Sequence, residues 1–134
     1  MGRREMREHI FKLLFLLEFY RGEELNDQAQ LYMDEVEEAD FTEKESAYIL
    51  DKFHRIEEIL PQIDEKLSEV SSGWKLNRMN KVDLAILRLA AYEALKDDDI
   101  PVSVAINEAV ELAKKFGGDD SPSFVNGVLA KAVK

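Results

Sequence analysis

The chain has 134 residues, a formal net charge of −10 at pH 7, 46% hydrophobic and 34% charged residues, a globular balance for a chain of one domain's size. It contains no cysteine, which excludes disulfides, thiolate metal sites and a cysteine nucleophile. The basic start Met1-Gly2-Arg3-Arg4 leads into an apolar stretch broken by Lys12 and Glu18, neither a signal segment nor a membrane span, and predicts a soluble, cytoplasmic protein with no membrane partner.

Helical periodicity runs through the whole chain, and no segment alternates apolar and polar residues with period two. A first helix is predicted from about Arg3 to Tyr20, with Ile10, Leu13, Leu14 and Leu17 on one side and Phe11 and Phe15 widening the stripe. Gly22 ends it, in the left-handed conformation that helix termini favour. A short second helix is predicted over Asp27 to Glu37, presenting Ala29, Leu31, Tyr32 and Val36. Thr42 and Glu45 are spaced as a capping box and start a third helix. Pro61 breaks it near Leu60 and opens a fourth that runs to Val70, because proline inside a helix costs roughly 3 kcal/mol.

Ser71-Ser72-Gly73 is short, small and polar, and is predicted to divide an N-terminal bundle (1–71) from a C-terminal one (74–134). A fifth helix follows, with Leu84, Leu87 and Ala91 on one face and Ile86, Leu89 and Ala90 extending it, closed by Asp97-Asp98-Asp99. Pro101 suits the first turn of a sixth, with Val102, Ala105, Ile106, Ala109, Val110 and Ala113 inside and a stop at Gly117-Gly118. Ser121-Pro122 opens the last, through Phe124, Val125, Val128 and Leu129. The predicted fold is all-α, about seven helices in two small packed bundles.

Catalytic and metal motifs are absent from the sequence. His9 and His54 stand in no motif, the acids sit in runs typical of solvated faces, and neither Asp97–Asp99 nor Gly117–Asp120 matches a calcium or phosphate loop. No enzyme activity and no cofactor are therefore expected. Charge, in contrast, is segregated. Residues 22–51 hold eleven acids against Lys44, while residues 1–21 hold five bases and three acids, and residues 74–88 hold Lys75, Arg78, Lys81 and Arg88 against Asp83 alone. Two basic segments in an acidic chain can serve RNA if folding brings them together. Arg3 and Arg7 share a helix face and Arg4 lies beside them; guanidinium groups fork onto phosphates and stack on bases. Trp74 and Phe124 lie next to loops, where an aromatic is either a core anchor or a stacking platform for an unpaired base. Asn107, Asn126 and Gly127 are poor helix formers inside helices. Hydrogen bonding to a neighbouring helix is the reading for Asn107, with structure or ligand left open for Asn126. For Gly127, close helix packing or room for RNA beside Phe124 are the alternatives.

Four segments in order resemble the NusB family across nearly the whole chain. They are the N-terminal Arg3-Arg4-Glu5-Met6-Arg7, the stretch Asp83–Glu93 (DLAILRLAAYE), Pro101–Gly117 (PVSVAINEAVELAKKFG) and Ser121–Leu129 (SPSFVNGVL). The resemblance implies a two-bundle helical fold that binds the boxA element of nascent RNA with NusE, a protein of the small ribosomal subunit, within RNA polymerase antitermination complexes. It implies RNA-facing roles for Arg3, Arg4, Arg7, Asp83 and Phe124, beside which Lys12, Lys81 and Asn126 are candidate RNA-binding residues, and a partner-facing or loop-shaping role for Asp120. Lys12 stands where the family often has Gln, Phe15 where it has Tyr, and Ala130 where an acid often follows. Alternatives are an RNA-binding domain like those of ribosomal RNA methyltransferases and a protein-binding scaffold, with a homodimer as a further assembly.

Overall fold

The computed structural model describes residues 2–37, 41–71 and 75–133. Among these the chain forms seven α-helices and no strand, as the sequence predicts, and they fall into two compact units, 1–58 and 59–134.

The first unit holds α1 (Arg3–Phe15), α2 (Gly22–Glu37) and α3 (Glu43–Glu58). α1 stops earlier than its apolar stripe suggests. The chain tightens into a 3-10 turn at Leu16–Glu18, where the N–H groups of Phe19 and Tyr20 both donate to the Leu16 carbonyl at 3.0 Å. Gly22 then takes φ +59, the left-handed conformation glycine adopts without a Cβ penalty. α2 begins at that glycine, five residues before the predicted Asp27. Glu23 and Glu24 occupy its first turn, where negative charge complements the helix dipole. Its buried stripe is Leu25, Ala29 and Met33, and Leu31, expected on that stripe, is exposed. α3 starts on the predicted capping box: the Thr42 N–H donates to Glu45 Oε1 at 3.0 Å and the Glu45 N–H to Thr42 Oγ1 at 3.1 Å. The Thr42 N–H bond holds the Glu45 carboxyl below its usual range. Ile49, Phe53 and Ile56 of α3 are buried, as are Ile10, Leu13, Leu14 and Leu17.

The second unit holds α4 (Leu60–Val70), α5 (Lys81–Lys96), α6 (Val102–Phe116) and α7 (Ser121–Ala132). α4 packs on α5 and α7, burying Ile63 and Leu67. The division therefore falls before α4, not at Ser71-Ser72-Gly73, of which Ser72 and Gly73 lie outside the described residues. α5 is the centre. Every residue from Asp83 to Glu93 is buried, because α4, α6 and α7 all pack against it. Inside this apolar surround Arg88 forks onto Asp64 of α4, Nε to Oδ1 and Nη2 to Oδ2, both at 2.9 Å.

α6 buries Leu112 and the alanines Ala105, Ala109 and Ala113, whose small side chains let it lie close to its neighbours. Val102, predicted inside, is 41% exposed, since Pro101 sits at the N-cap and leaves Val102 at the helix mouth. Gly117 and Gly118 end α6 as predicted. A Cβ on Gly117 would stand 2.6 Å from the Ser121 Cβ and 2.8 Å from the Ala113 carbonyl oxygen, so the turn into α7 closes only around a glycine. No helix of the described residues is long and apolar enough to cross a membrane.

Candidate nucleic-acid interface

The predicted site residues fall on both units, and each set is described within its own unit. On α1, Arg3, Arg4 and Lys12 are exposed; Arg3 and Arg4 open the helix ahead of the apolar stripe that begins at Ile10, and Lys12 stands in its last turn. Arg7 differs. It is 8% exposed and engaged within the fold, so the predicted common face of Arg3 and Arg7 is divided into an exposed pair, Arg3 and Arg4, and a buried third member.

On the second unit, Asn80 caps α5. Its Oδ1 accepts from the Val82 N–H at 2.8 Å and from the Asp83 N–H at 3.4 Å, satisfying two of the donors that a helix start leaves unpaired. This cap carries Asp83 in the first turn, where it is 7% exposed. The Asp83 Oδ1 is buried with no hydrogen-bond partner among the described residues, a costly state for a polar atom.

Opposite it, the loop from Gly118 to Ser121 is pinned by the Gly118 N–H, which donates to Ser121 Oγ at 3.0 Å. That bond sets the start of α7 and hence the place of Phe124. Met79, Asn80, Asp83, the 118–121 loop and Phe124 together line one cavity of about 380 Å³, within the range of small-ligand sites. Folding thus brings together Asp83, Phe124 and Asp120, which are separated by up to forty-one positions in sequence. The half-buried Phe124 ring gives the cavity an aromatic surface, and Asp119 and Asp120 are exposed. Among the described residues no group of three or more His, Cys, Asp or Glu side chains is arranged to hold a metal ion.

Lys75, Arg78 and Lys81, in and just after the segment leading to α5, are exposed. Arg88, the fourth base of that segment, belongs to the fold through Asp64 and leaves the candidate surface. Asn126 is exposed on α7, and so is Asn107 on α6, against the expectation that Asn107 would tie to a neighbouring helix. Gly127 is exposed, and a Cβ there would meet nothing within 4 Å, which overturns close packing as its reason. Trp74 lies outside the described residues. Sequence reasoning missed the roles of Asn80 and Ser121, although an Asn three residues before an Asp at a helix start is a legible capping signal.

The NusB family model matches residues 4–134. The chain belongs to the NusB family. It is 54% identical over 133 residues to the transcription antitermination protein NusB of Lachnoclostridium phytofermentans, covering 99% of each chain. Its fold is similar to the solved structure of T. maritima NusB, with a TM-score of 0.87 and 39% identity, covering 99% of this chain and 91% of that one. A structure of antitermination factors NusB and NusE in complex with double-stranded RNA shares the fold at a TM-score of 0.83 and 21% identity, covering 98% of this chain and 95% of that one. The four NusB-like segments of the sequence therefore belong to a likeness that extends through the chain.

Proposed function

We propose that this NusB-family chain is a cytoplasmic transcription antitermination factor that binds boxA-type RNA together with NusE and joins RNA polymerase complexes, acting by binding alone. The observation that carries the RNA reading is the cavity of the second unit, where Asp83 and Phe124 meet. Single-stranded RNA is recognised by splaying out a base, stacking it on an aromatic ring and hydrogen-bonding its edge, and an aromatic ring beside a buried acceptor supplies both contacts. Arg3, Arg4 and Lys12 on one unit, and Lys75, Arg78 and Lys81 on the other, supply phosphate attraction that an acidic chain otherwise lacks. Arg7 acts from inside α1, positioning the helix start rather than reaching RNA itself. Asn126 lies two residues beyond Phe124 on α7 and is a further polar contact for the same strand.

The acidic stretch 22–51 faces a basic partner best, as a ribosomal protein is, and Asp120 on the exposed 118–121 loop is assigned to such contact or to loop shape. The test is fluorescence anisotropy with a short boxA-type RNA and a scrambled control, each with and without NusE. Preference for the native sequence, tightened by NusE, is the expected result. Equal binding of both RNAs would reduce the function to nonspecific attraction. Loss of RNA binding with NusE still captured would leave a protein scaffold.

A further inference from the structure

His9 stands on α1 with its ring against two other elements of the first unit. On the α2 side its Nδ1 lies 2.5 Å from the Tyr32 hydroxyl, and the two ring centroids are 5.9 Å apart. On the α3 side the Phe41 ring meets it edge-on, with centroids 4.8 Å apart, and Phe41 immediately precedes the Thr42–Glu45 cap. We propose that the His9 ring is a proton-released latch. Neutral, it fastens the end of α2 and the head of α3 to α1; protonated, it lets both go.

The buried stripe of α2 ends at Met33, and Val36 beyond it is only half-buried, so the apolar hold on the helix thins toward this end. A neutral imidazole has one nitrogen lone pair to offer, and the phenol fills it with its O–H. Protonation makes donors of both ring nitrogens, so the phenol O–H then faces an N–H in place of an acceptor. It also sets a charge between two aromatic rings in a part-buried site, which is costly. Burial disfavours the charged ring most and Lys12 adds to it, while Glu8 and Glu5, also of α1, oppose them more weakly. Tyr32, pushed up to about 12 by burial and then by Glu8, carries no charge here, and Phe41 has none to carry. The Thr42 N–H holds the Glu45 carboxyl of the cap below its usual range, so the cap stays ionised in mild acid. Of His9, Tyr32 and Glu45, only the histidine changes charge just below neutrality. A ring whose proton is disfavoured in place binds that proton better once released, so acid shifts the junction toward the open form.

The experiment follows the full chain by NMR from pH 7.5 to 5.0, without RNA. The His9 ring protons report its protonation. Hydrogen exchange, corrected for its intrinsic pH dependence, reports protection at residues 32–36 and at Ser46, whose N–H donates to the Thr42 carbonyl. Protection at both places should fall severalfold as the ring takes up its proton, below pH 6.5, while amides in the middle of α5 keep theirs. Lys12→Gln removes a nearby positive charge; it should move the ring's midpoint up, and the loss of protection should move with it. His9→Gln has no proton to take up in this range and should hold the junction's protection constant. A ring that titrates while protection stays unchanged would make His9 a bystander and overturn the latch. So would an equal loss of protection in His9→Gln, or a ring and a junction that both stay unchanged down to pH 5.0. Lys12 is exposed, so the Lys12→Gln comparison decides the matter even if His9→Gln fails to fold. The latch needs no RNA, and its failure would leave the RNA reading untouched.

Discussion

At the scale of single residues, the three N-terminal arginines separate into two roles. Replacing Arg3 and Arg4 with Ala should leave thermal stability within about 0.5 kcal/mol, as for other exposed positions. The same double variant should weaken RNA binding and reduce the slope of log affinity against log salt by roughly 1.4, two phosphate contacts on a single strand. Arg7→Ala should lower the melting temperature instead, because it removes a buried side chain that is engaged in the fold. His9 offers a second residue-scale test. Its Nδ1 lies 2.5 Å from the Tyr32 hydroxyl, and the Phe41 ring meets it edge-on with centroids 4.8 Å apart. Burial, with the nearby Lys12 charge, lowers the His9 pKa below its ordinary value of 6.5, against smaller opposing effects of Glu8 and Glu5. Burial, followed by Glu8, pushes the Tyr32 phenol up to about 12, so the phenol stays protonated and donates to a neutral ring. A lowered folded pKa means that the stabilisation is complete above pH 6.5 and is lost as pH falls from there through the lower folded value. Melting of the native chain should therefore drop between pH 7.5 and 5.5 by more than that of His9→Gln; equal drops would remove His9 from the account.

At the scale of elements, the helix ends and the exposed helix surfaces make separate predictions. Asn80→Ala removes the acceptor for two amides of α5 and should cost about 1 kcal/mol, measured by chemical denaturation. Gly127→Ala should stabilise by up to about 1 kcal/mol, because α7 gains a better helix former in open space. If that variant is more stable yet binds RNA poorly, the glycine is kept for access beside Phe124. Most helix ends were legible because they carry strong local chemistry: the Thr42–Glu45 box, Pro61, Pro101 and the Gly117-Gly118 stop. What could not be read came from packing at a distance. Leu25 and Leu31 are both leucines on α2, and only the fold determines that the first is buried and the second exposed. Arg88 looked like a member of a basic segment because its partner Asp64 is twenty-four positions away. The grouping of α4 with the second unit depends on the same kind of contact, since Ile63 and Leu67 would suit either bundle by pattern alone. The candidate site divided likewise: Asp83, Phe124 and Asp120 were legible through family resemblance, whereas their convergence on one cavity and the cap that sets Asp83 required the fold.

For the whole molecule, a net charge of −10 and a polyanionic ligand make opposite demands on the solvent. Self-repulsion among exposed carboxylates is screened by salt, so raising salt from low to physiological strength should raise the melting temperature. The same change should weaken RNA binding, because the phosphate contacts are made by a minority of cations. A melting temperature that falls with salt would mean that local ion pairs, not net repulsion, dominate the charge balance. The cap at Asn80 also gives the molecule its own gauge of occupancy. One side chain both fastens the Val82 and Asp83 amides and forms part of the cavity wall. A base seated there should slow hydrogen exchange at these two amides and move their resonances, with no attached label, while amides at the far end of α5 stay as they were.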